Sequence, residues 1–339
     1  MLDRYKPMNP SHWNGRIDSL ENFSAYRWHQ WVQPLDLRDD LSAFSPKSGF
    51  AFLGFKCDEG IRRNGGRQGA SKGPDSIRKE LANLPCYFTE DITLFDAGDI
   101  LCEDNNLEES QHQLAQAVNQ MLALNLFPIV LGGGHELAYG HYNGILKSVK
   151  KRKNYPKIGI FNFDAHFDLR PYPDGGSSGT MFKQIADENT KEDLPFSYFC
   201  AGLQKHSNTI QLFKTADALG TDYLLASEMI QDDHWHIVEK VEGFINRNEY
   251  LYLTVCSDVF STAFAPGVSA AQPLGIDPEL AIKVIKLLLR SGKVLSFDIA
   301  EVSPRFDLDH TTASLARVII FSLVNTLCES WQKIQWHAY

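Results

Sequence analysis

The sequence predicts an α/β fold with a largely parallel sheet and helices on both of its faces. Three observations lead there. Apolar, β-rich runs alternate with helix-patterned runs almost from end to end, the order that parallel βαβ units require. The strand candidates are continuously apolar, as strands buried on both faces are. Several of them run directly into Asp, His and Glu residues, and in open α/β sheets ligands bind just beyond the carboxyl ends of the strands.

Taken in order, strands are expected at residues 50–55, 92–95, 128–131, 158–163, 197–201, 223–226, 251–255 and 294–297. Helices are expected at 107–124, 137–149, 235–246, 278–289 and 312–331. The 339 residues read as one domain. Residues 1–45, with Trp13, Trp28 and Trp31, read as an N-terminal extension packed on it. The basic run from Lys147 to Lys153 ends a helical pattern. Cations are favoured at a helix C-terminus by the dipole, so the run needs no binding role.

Composition narrows the class of partner. Apolar residues make up 43% of the chain, enough for a sizeable core, and the formal net charge is −9. Binding to a phosphate backbone draws on Lys and Arg clusters, so a nucleic-acid partner is not expected. The start, MLDRYKPMNPSHW, lacks the apolar stretch of a secretory signal, and no apolar run of about 18 residues suggests a membrane span. The six cysteines, at 57, 86, 102, 200, 256 and 328, form no CxxC pair. They are expected as reduced thiols of a cytoplasmic protein, and the expected partner is a small molecule.

Chemistry gathers at the strand ends. In Phe127-Pro-Ile-Val-Leu-Gly-Gly-Gly134-His135-Glu136, glycines let the backbone turn sharply as it leaves the strand. Such turns also bind phosphates, and a lone His is usually structural. The second segment, Ile158 to Asp168, places Asp164, His166 and Asp168 at spacing two behind an apolar strand. Alternate residues of an extended segment point the same way, so the three side chains can converge on one locus; the alternative is a solvated turn of polar residues. Two carboxylates and an imidazole crowded together call for a divalent cation. The third strand ends in Cys256 and Asp258, again at spacing two, and a fourth carries Asp298 within it and Glu301 beyond it. Asp298 reads as structural and Glu301 as the substrate contact.

The order GGGHE, DAHFD, a strand ending in Asp before FAPG, and DIAEVSP resembles the ureohydrolase (arginase–agmatinase) family over about residues 50–330. The resemblance implies a three-layer α/β/α fold around an eight-stranded, mainly parallel sheet. It also implies a site for two Mn²⁺ ions that generates hydroxide. Carried over by position, His135 and Asp168 bind one metal, His166 and Asp258 the other, and Asp164 bridges them. Cys256 stands where the family usually has Asp. A thiolate is a softer ligand than a carboxylate, so this departure bears on the affinity, identity and number of the metals, and one position is expected to fill poorly.

Other segments resemble the formimidoylglutamase branch of the family. They are RNGGRQGA at Arg63 to Ala70, DAHFDLR ending in Arg170, GLQKHSNT around Gln204, and FAPGVSA. Phe182 stands where arginases carry a His. This branch implies hydrolysis of N-formimidoyl-L-glutamate to L-glutamate and formamide, by a homo-oligomer. Asp168 would relay a proton, His166 would serve catalysis as a ligand, and Glu301 would hold the formimidoyl nitrogens. Two substrate carboxylates call for cations, so Arg67 and Arg170 are candidates, with Asn64, Gln204 and Asn208 as neutral hydrogen-bonding groups. The alternatives are another ureohydrolase activity, on arginine, agmatine or a guanidino acid, and a metal-poor, catalytically silent relative. A deacetylase-like reaction ranks last.

Overall fold

The computed structural model describes residues 2–44, 46, 48–231 and 234–335. Among these, ten strands form one sheet. They are β1 (Tyr5–Lys6), β2 (Val32–Pro34), β3 (Ser48–Lys56), β4 (Ile92–Leu101), β5 (Phe127–Gly132), β6 (Ile158–Phe163), β7 (Ser197–Leu203), β8 (Asp222–Leu225), β9 (Tyr250–Cys256) and β10 (Val294–Ala300). Their order is β1-β4-β3-β5-β10-β9-β6-β7-β8, with β2 also beside β4. Every pairing is parallel except that of β1 with β4. The eight strands expected from sequence are β3 to β10, and the N-terminal extension adds the other two at the β4 edge.

Alternating side chains of each strand feed two cores. Phe50 and Phe52 face one side of β3, and Ala51, Leu53 and Phe55 the other. Helices Gly73–Leu81, His234–Arg247, Pro278–Arg290 and Thr311–Ser330 cover the first face. Helices Leu107–Ala123, Leu137–Lys150, Met181–Lys191 and Ile210–Ala218 cover the second. Truncating a fully buried Phe such as Phe52 to Ala would cost roughly 3–5 kcal/mol. Local signals set the helix starts: Asn106 accepts from the Glu109 N–H, and Asp277 accepts from the Glu279 N–H with Pro278 at the first helical position. The helices not expected from sequence, such as Ile210–Ala218, are short.

Two details qualify the sequence picture. Thr311–Ser330 is long and apolar enough to cross a membrane, with mean hydropathy 1.4, but Ile319, Ile320, Leu323 and Val324 are fully buried in the core. The extension is bonded to the body: Trp13 Nε1 donates to Asp96 at 2.6 Å. Asp96 also accepts from the buried guanidinium of Arg78, at 2.8 and 2.9 Å.

The late strands β9 and β10 insert between β5 and β6. The strand ends that carry His135, Glu301, Cys256 and Asp164 are therefore four neighbours, although the chain between the first and last of these residues is long.

Candidate metal centre

The turn after β5 is pressed against the end of β3. The Gly133 N–H donates to Phe55 O at 2.9 Å, and the Gly134 N–H to Cys57 O at 2.8 Å. A Cβ on Gly133 would lie 2.0 Å from Cys57 O, and one on Gly134 2.0 Å from Glu136 Oε2. These glycines therefore supply room for close backbone approach. Neither has a positive φ, so the turn is not made by a left-handed glycine. The fully buried His135 follows at once.

The segment after β6 alternates as expected. Ala165 and Phe167 are fully buried apolar anchors, while Asp164, His166 and Asp168 face the site. The backbone is not a simple extension of the strand: the His166 N–H folds back onto Asp164 Oδ1 at 2.8 Å. Asp168 adopts φ 51° and Glu301 φ 66°. Two non-glycine residues in the left-handed region cost on the order of 1 kcal/mol or more each, a strain that the surrounding contacts hold in place.

The side chains converge in two groups that share one carboxylate. His135 Nδ1 lies 2.9 Å from Asp164 Oδ2 and 3.3 Å from Asp168 Oδ2. His166 Nδ1 lies 3.4 Å from the other oxygen, Asp164 Oδ1, and 3.2 Å from Asp258 Oδ2. Candidate ligand atoms of His135, Asp164 and Cys256 lie within 4.8 Å of one another, as do those of Asp164, His166 and Asp258. Thus the six metal-ligand candidates from the sequence come together, with Asp164 between the two groups.

The electrostatics call for cations. Burial works against charge on His135 and His166, but the facing carboxylates outweigh it and hold both imidazoles well above their usual pKa. Burial likewise opposes ionisation of Asp164, and the two imidazoles reverse that and hold it low. Asp168 is raised by burial and by Asp164, and Glu301 well up by burial and by Glu136 and Asp258. Burial and the same carboxylates push the Cys256 thiol well up. His135 Nδ1 and Asp258 Oδ1 are buried without a hydrogen-bond partner. Unpartnered nitrogen and oxygen donors facing an excess of acidic groups fit a pair of divalent cations. The group with His135 includes a sulfur, and the group with His166 offers nitrogen and oxygen only.

The centre opens into a cleft of about 300 Å³, lined by Asn64, Arg67, His135, His166, Asp168, Arg170, Cys256, Asp258 and Glu301. Ile61, Ser178, Ser269 and Ala270 also line it. The sequence reading missed these four, although Ser269 lies in the FAPGVSA segment and Ser178 in SSGTMF. Glu301 Oε1 accepts from the His135 N–H at 3.1 Å. Arg170 lines the cleft, and its Nη1 lies 3.3 Å from Asp168 Oδ1.

The structure gives four residues singled out in the sequence their surroundings. Gln204 and Asn208 do not line the cleft. Gln204 Nε2 donates to Leu274 O at 2.6 Å. Asn208 accepts from the Phe167 N–H at 3.0 Å and donates to Ala165 O and Gln204 O, each at 2.8 Å. The Asn208 amide satisfies the backbone of the loop that carries His166, and the Gln204 amide that of the segment at Leu274. Arg67 does line the cleft, but Nε and Nη2 donate to Ser269 O at 3.0 Å and Val268 O at 2.8 Å, and its guanidinium lies 4.2 Å from the Phe306 ring centroid. Phe182 does not line the cleft. It is fully buried, stacked on Tyr198 and edge-on to the His135 ring at 5.7 Å.

Known proteins resemble this chain in sequence and in fold. Residues 48–325 match the family model described as the arginase family. A formimidoylglutamase of Clostridium tetani is 60% identical over 327 residues, covering 96% of this chain and 97% of that protein. A formimidoylglutamase of Legionella pneumophila (strain Paris) is 42% identical over 327 residues, covering 96% and 98%. Among solved structures, formimidoylglutamase from Bacillus subtilis superposes with a TM-score of 0.77 at 21% identity, covering 91% of this chain and 94% of that one. A Trypanosoma cruzi formiminoglutamase solved with Mn²⁺ gives 0.74 at 24% identity, covering 86% and 96%.

Proposed function

The chain belongs to the arginase family, and from that premise we propose that it hydrolyses N-formimidoyl-L-glutamate to L-glutamate and formamide. The observation that carries this reading is the pair of imidazole–carboxylate groups sharing Asp164, with Glu301 exposed to the same cleft. The substrate follows from the relative that is 60% identical over nearly the whole of both chains. The six cysteines are free thiols, which supports a reducing compartment such as the cytoplasm.

His135, Asp164, Asp168 and Cys256 would hold one ion, and His166, Asp164 and Asp258 the other, with Mn²⁺ the ion named for the Trypanosoma protein. When bound, such a pair lowers the pKa of water and so supplies a nucleophile near neutral pH.

The side chains do the rest. Glu301 receives the formimidoyl N–H groups in charge-assisted hydrogen bonds. The cationic amidinium restores the ionised state that burial disfavours. Asp168, at the edge of the centre beside His135, takes a proton from the attacking water and passes it to the departing glutamate nitrogen. Water adds to the formimidoyl carbon, the bond from that carbon to the glutamate nitrogen breaks, and the carbon leaves as formamide. Arg170 engages a substrate carboxylate. Arg67, with two of its donor nitrogens spent on Ser269 O and Val268 O, holds the loop at the cleft mouth and offers its remaining nitrogen. The walls around Asp164 exclude bulk water, since Asp164 is fully buried.

A formamide-release assay with and without Mn²⁺ tests the proposal. Formamide and glutamate in equal amounts, dependent on metal, support it. Urea from arginine or agmatine, with no formamide from the formimidoyl substrate, overturns it.

A further inference from the structure

Behind His135, away from the cleft, lies a fully buried polar chain that the reaction does not use. His135 Nε2 is 2.9 Å from Thr254 Oγ1, and Thr254 Oγ1 is 2.6 Å from Asp298 Oδ1. The other oxygen, Asp298 Oδ2, receives the Tyr252 hydroxyl at 2.5 Å and His141 Nδ1 at 2.6 Å. His141 Nε2 is in turn 2.5 Å from Ser296 Oγ, which donates to Pro128 O at 3.0 Å. Thr254, Asp298, His141 and Ser296 are all fully buried, and they come from β9, β10 and helix Leu137–Lys150.

Counting hydrogens gives this chain a direction. A carboxylate only accepts, so the single Thr254 hydrogen goes to Asp298. Thr254 Oγ1 can then serve His135 only as an acceptor, which places a proton on Nε2. The ring is oriented by that bond, and Nδ1 is turned toward Asp164 and Asp168. A histidine that ligates through one nitrogen is tuned by the hydrogen bond that the other makes. The strand pattern makes the arrangement specific. Thr254 and Cys256 are two residues apart on β9 and so share a face, and Asp298 is the registered neighbour of Thr254 on β10.

We propose that Thr254 and Asp298 are positioning residues, which fix His135 with its proton on Nε2 and thereby set the affinity of the His135 half of the centre for a divalent cation. Tyr252 and His141 hold Asp298 in place for this. The inference rests on the two-cation reading given above. It goes beyond that reading by assigning half of the centre's affinity to residues that touch neither cation nor substrate.

Mn²⁺ binding to the full chain, followed by equilibrium dialysis with elemental analysis, tests this with Thr254→Val, Thr254→Ser and Asp298→Leu. Thr254→Ser keeps the hydroxyl and is expected to bind as the wild type does. Thr254→Val and Asp298→Leu are expected to weaken one of the two binding steps by about 10- to 100-fold. Activity should fall with them at limiting Mn²⁺ and recover at saturating Mn²⁺. If Thr254→Val does not fold, Thr254→Ala removes the same hydroxyl with a smaller side chain and carries the test. Wild-type affinity in a folded Thr254→Val or Thr254→Ala protein overturns the positioning role alone. So does a Thr254→Ser protein as weak as Thr254→Val. A wild-type chain that binds no Mn²⁺ overturns the metal reading itself and this inference with it.

Discussion

The backbone N–H of His135 donates to Oε1 of Glu301 at 3.1 Å, across 166 residues of sequence. The bond is returned two residues earlier, where the Glu301 N–H donates to Gly133 O at 2.8 Å. The substrate-facing carboxylate and a metal-facing imidazole are thus fixed to each other through the backbone, and the left-handed φ of Glu301 is part of that fixing.

Replacing Glu301 with Gln preserves an acceptor for the His135 N–H and removes only the charge. Steady-state kinetics should show kcat/KM lower by roughly 10- to 100-fold, the range for a charge-assisted hydrogen bond to a cationic group. Thermal stability should be unchanged or slightly higher, because burial already disfavours the charge. An unchanged kcat/KM would remove Glu301 from substrate binding.

Cys256→Asp exchanges the one sulfur donor of the centre for a hard oxygen. Titration should show Mn²⁺ binding tightened on the order of tenfold, about 1.4 kcal/mol, and the preference for a thiophilic ion such as Cd²⁺ reduced. Equal or weaker Mn²⁺ binding would mean that the thiol is not the weak ligand.

The two cleft arginines should separate cleanly. Arg170→Ala should raise KM by about 10- to 100-fold with a smaller effect on kcat, the loss of a charged hydrogen-bonding partner for a carboxylate. Arg67→Ala removes two bonds to backbone carbonyls and the contact with Phe306. It should lower the melting temperature as well, and Arg67→Lys should not rescue it, because an ammonium cannot reproduce the fork. Equal effects of the two alanine variants on KM and on melting would contradict this division.

Glu136 makes the metal-free protein sensitive to pH. Burial pushes its pKa up to about 8 from an ordinary 4.5. Below about 4.5 both folded and unfolded forms are protonated, and its contribution to stability is complete. As the pH rises toward 8 the unfolded chain ionises while the folded one does not. Stability is therefore lost across that window, on the order of a few kcal/mol. Denaturation of the metal-free protein at pH 5 and pH 8 should show the loss, and Glu136→Gln should reduce it. The same slope in the variant would place the effect elsewhere.

Much of the centre is legible in the sequence because each ligand follows an apolar strand directly. A run such as Ile158 to Phe163 can only be an interior strand, so Asp164, His166 and Asp168 must leave it at the sheet's carboxyl edge. The surroundings of Gln204 and Asn208 are not legible in the sequence for the opposite reason. They sit in a loop, and an amide's partner is decided by which backbone groups the fold brings within reach. Here those are Phe167 N–H, Ala165 O and Leu274 O, and no local pattern announces them. Arg67 and Phe182 were placed by position alone, and packing turned one partly onto carbonyls and the other beneath His135.

Taken alone, the segment Asp164 to Asp168 pointed to a cation-seeking cluster at a strand end, because a buried alternating acid–imidazole–acid run calls for a counter-charge. Its division into two groups was decided by the tertiary structure. Only the insertion of β9 and β10 between β5 and β6 brings His135 to one oxygen of Asp164 and Asp258 to the neighbourhood of the other. The same register places Thr254 and Asp298 behind His135. Such pairings between separated parts of the chain depend on strand order and register, which the sequence encodes only through the folded whole.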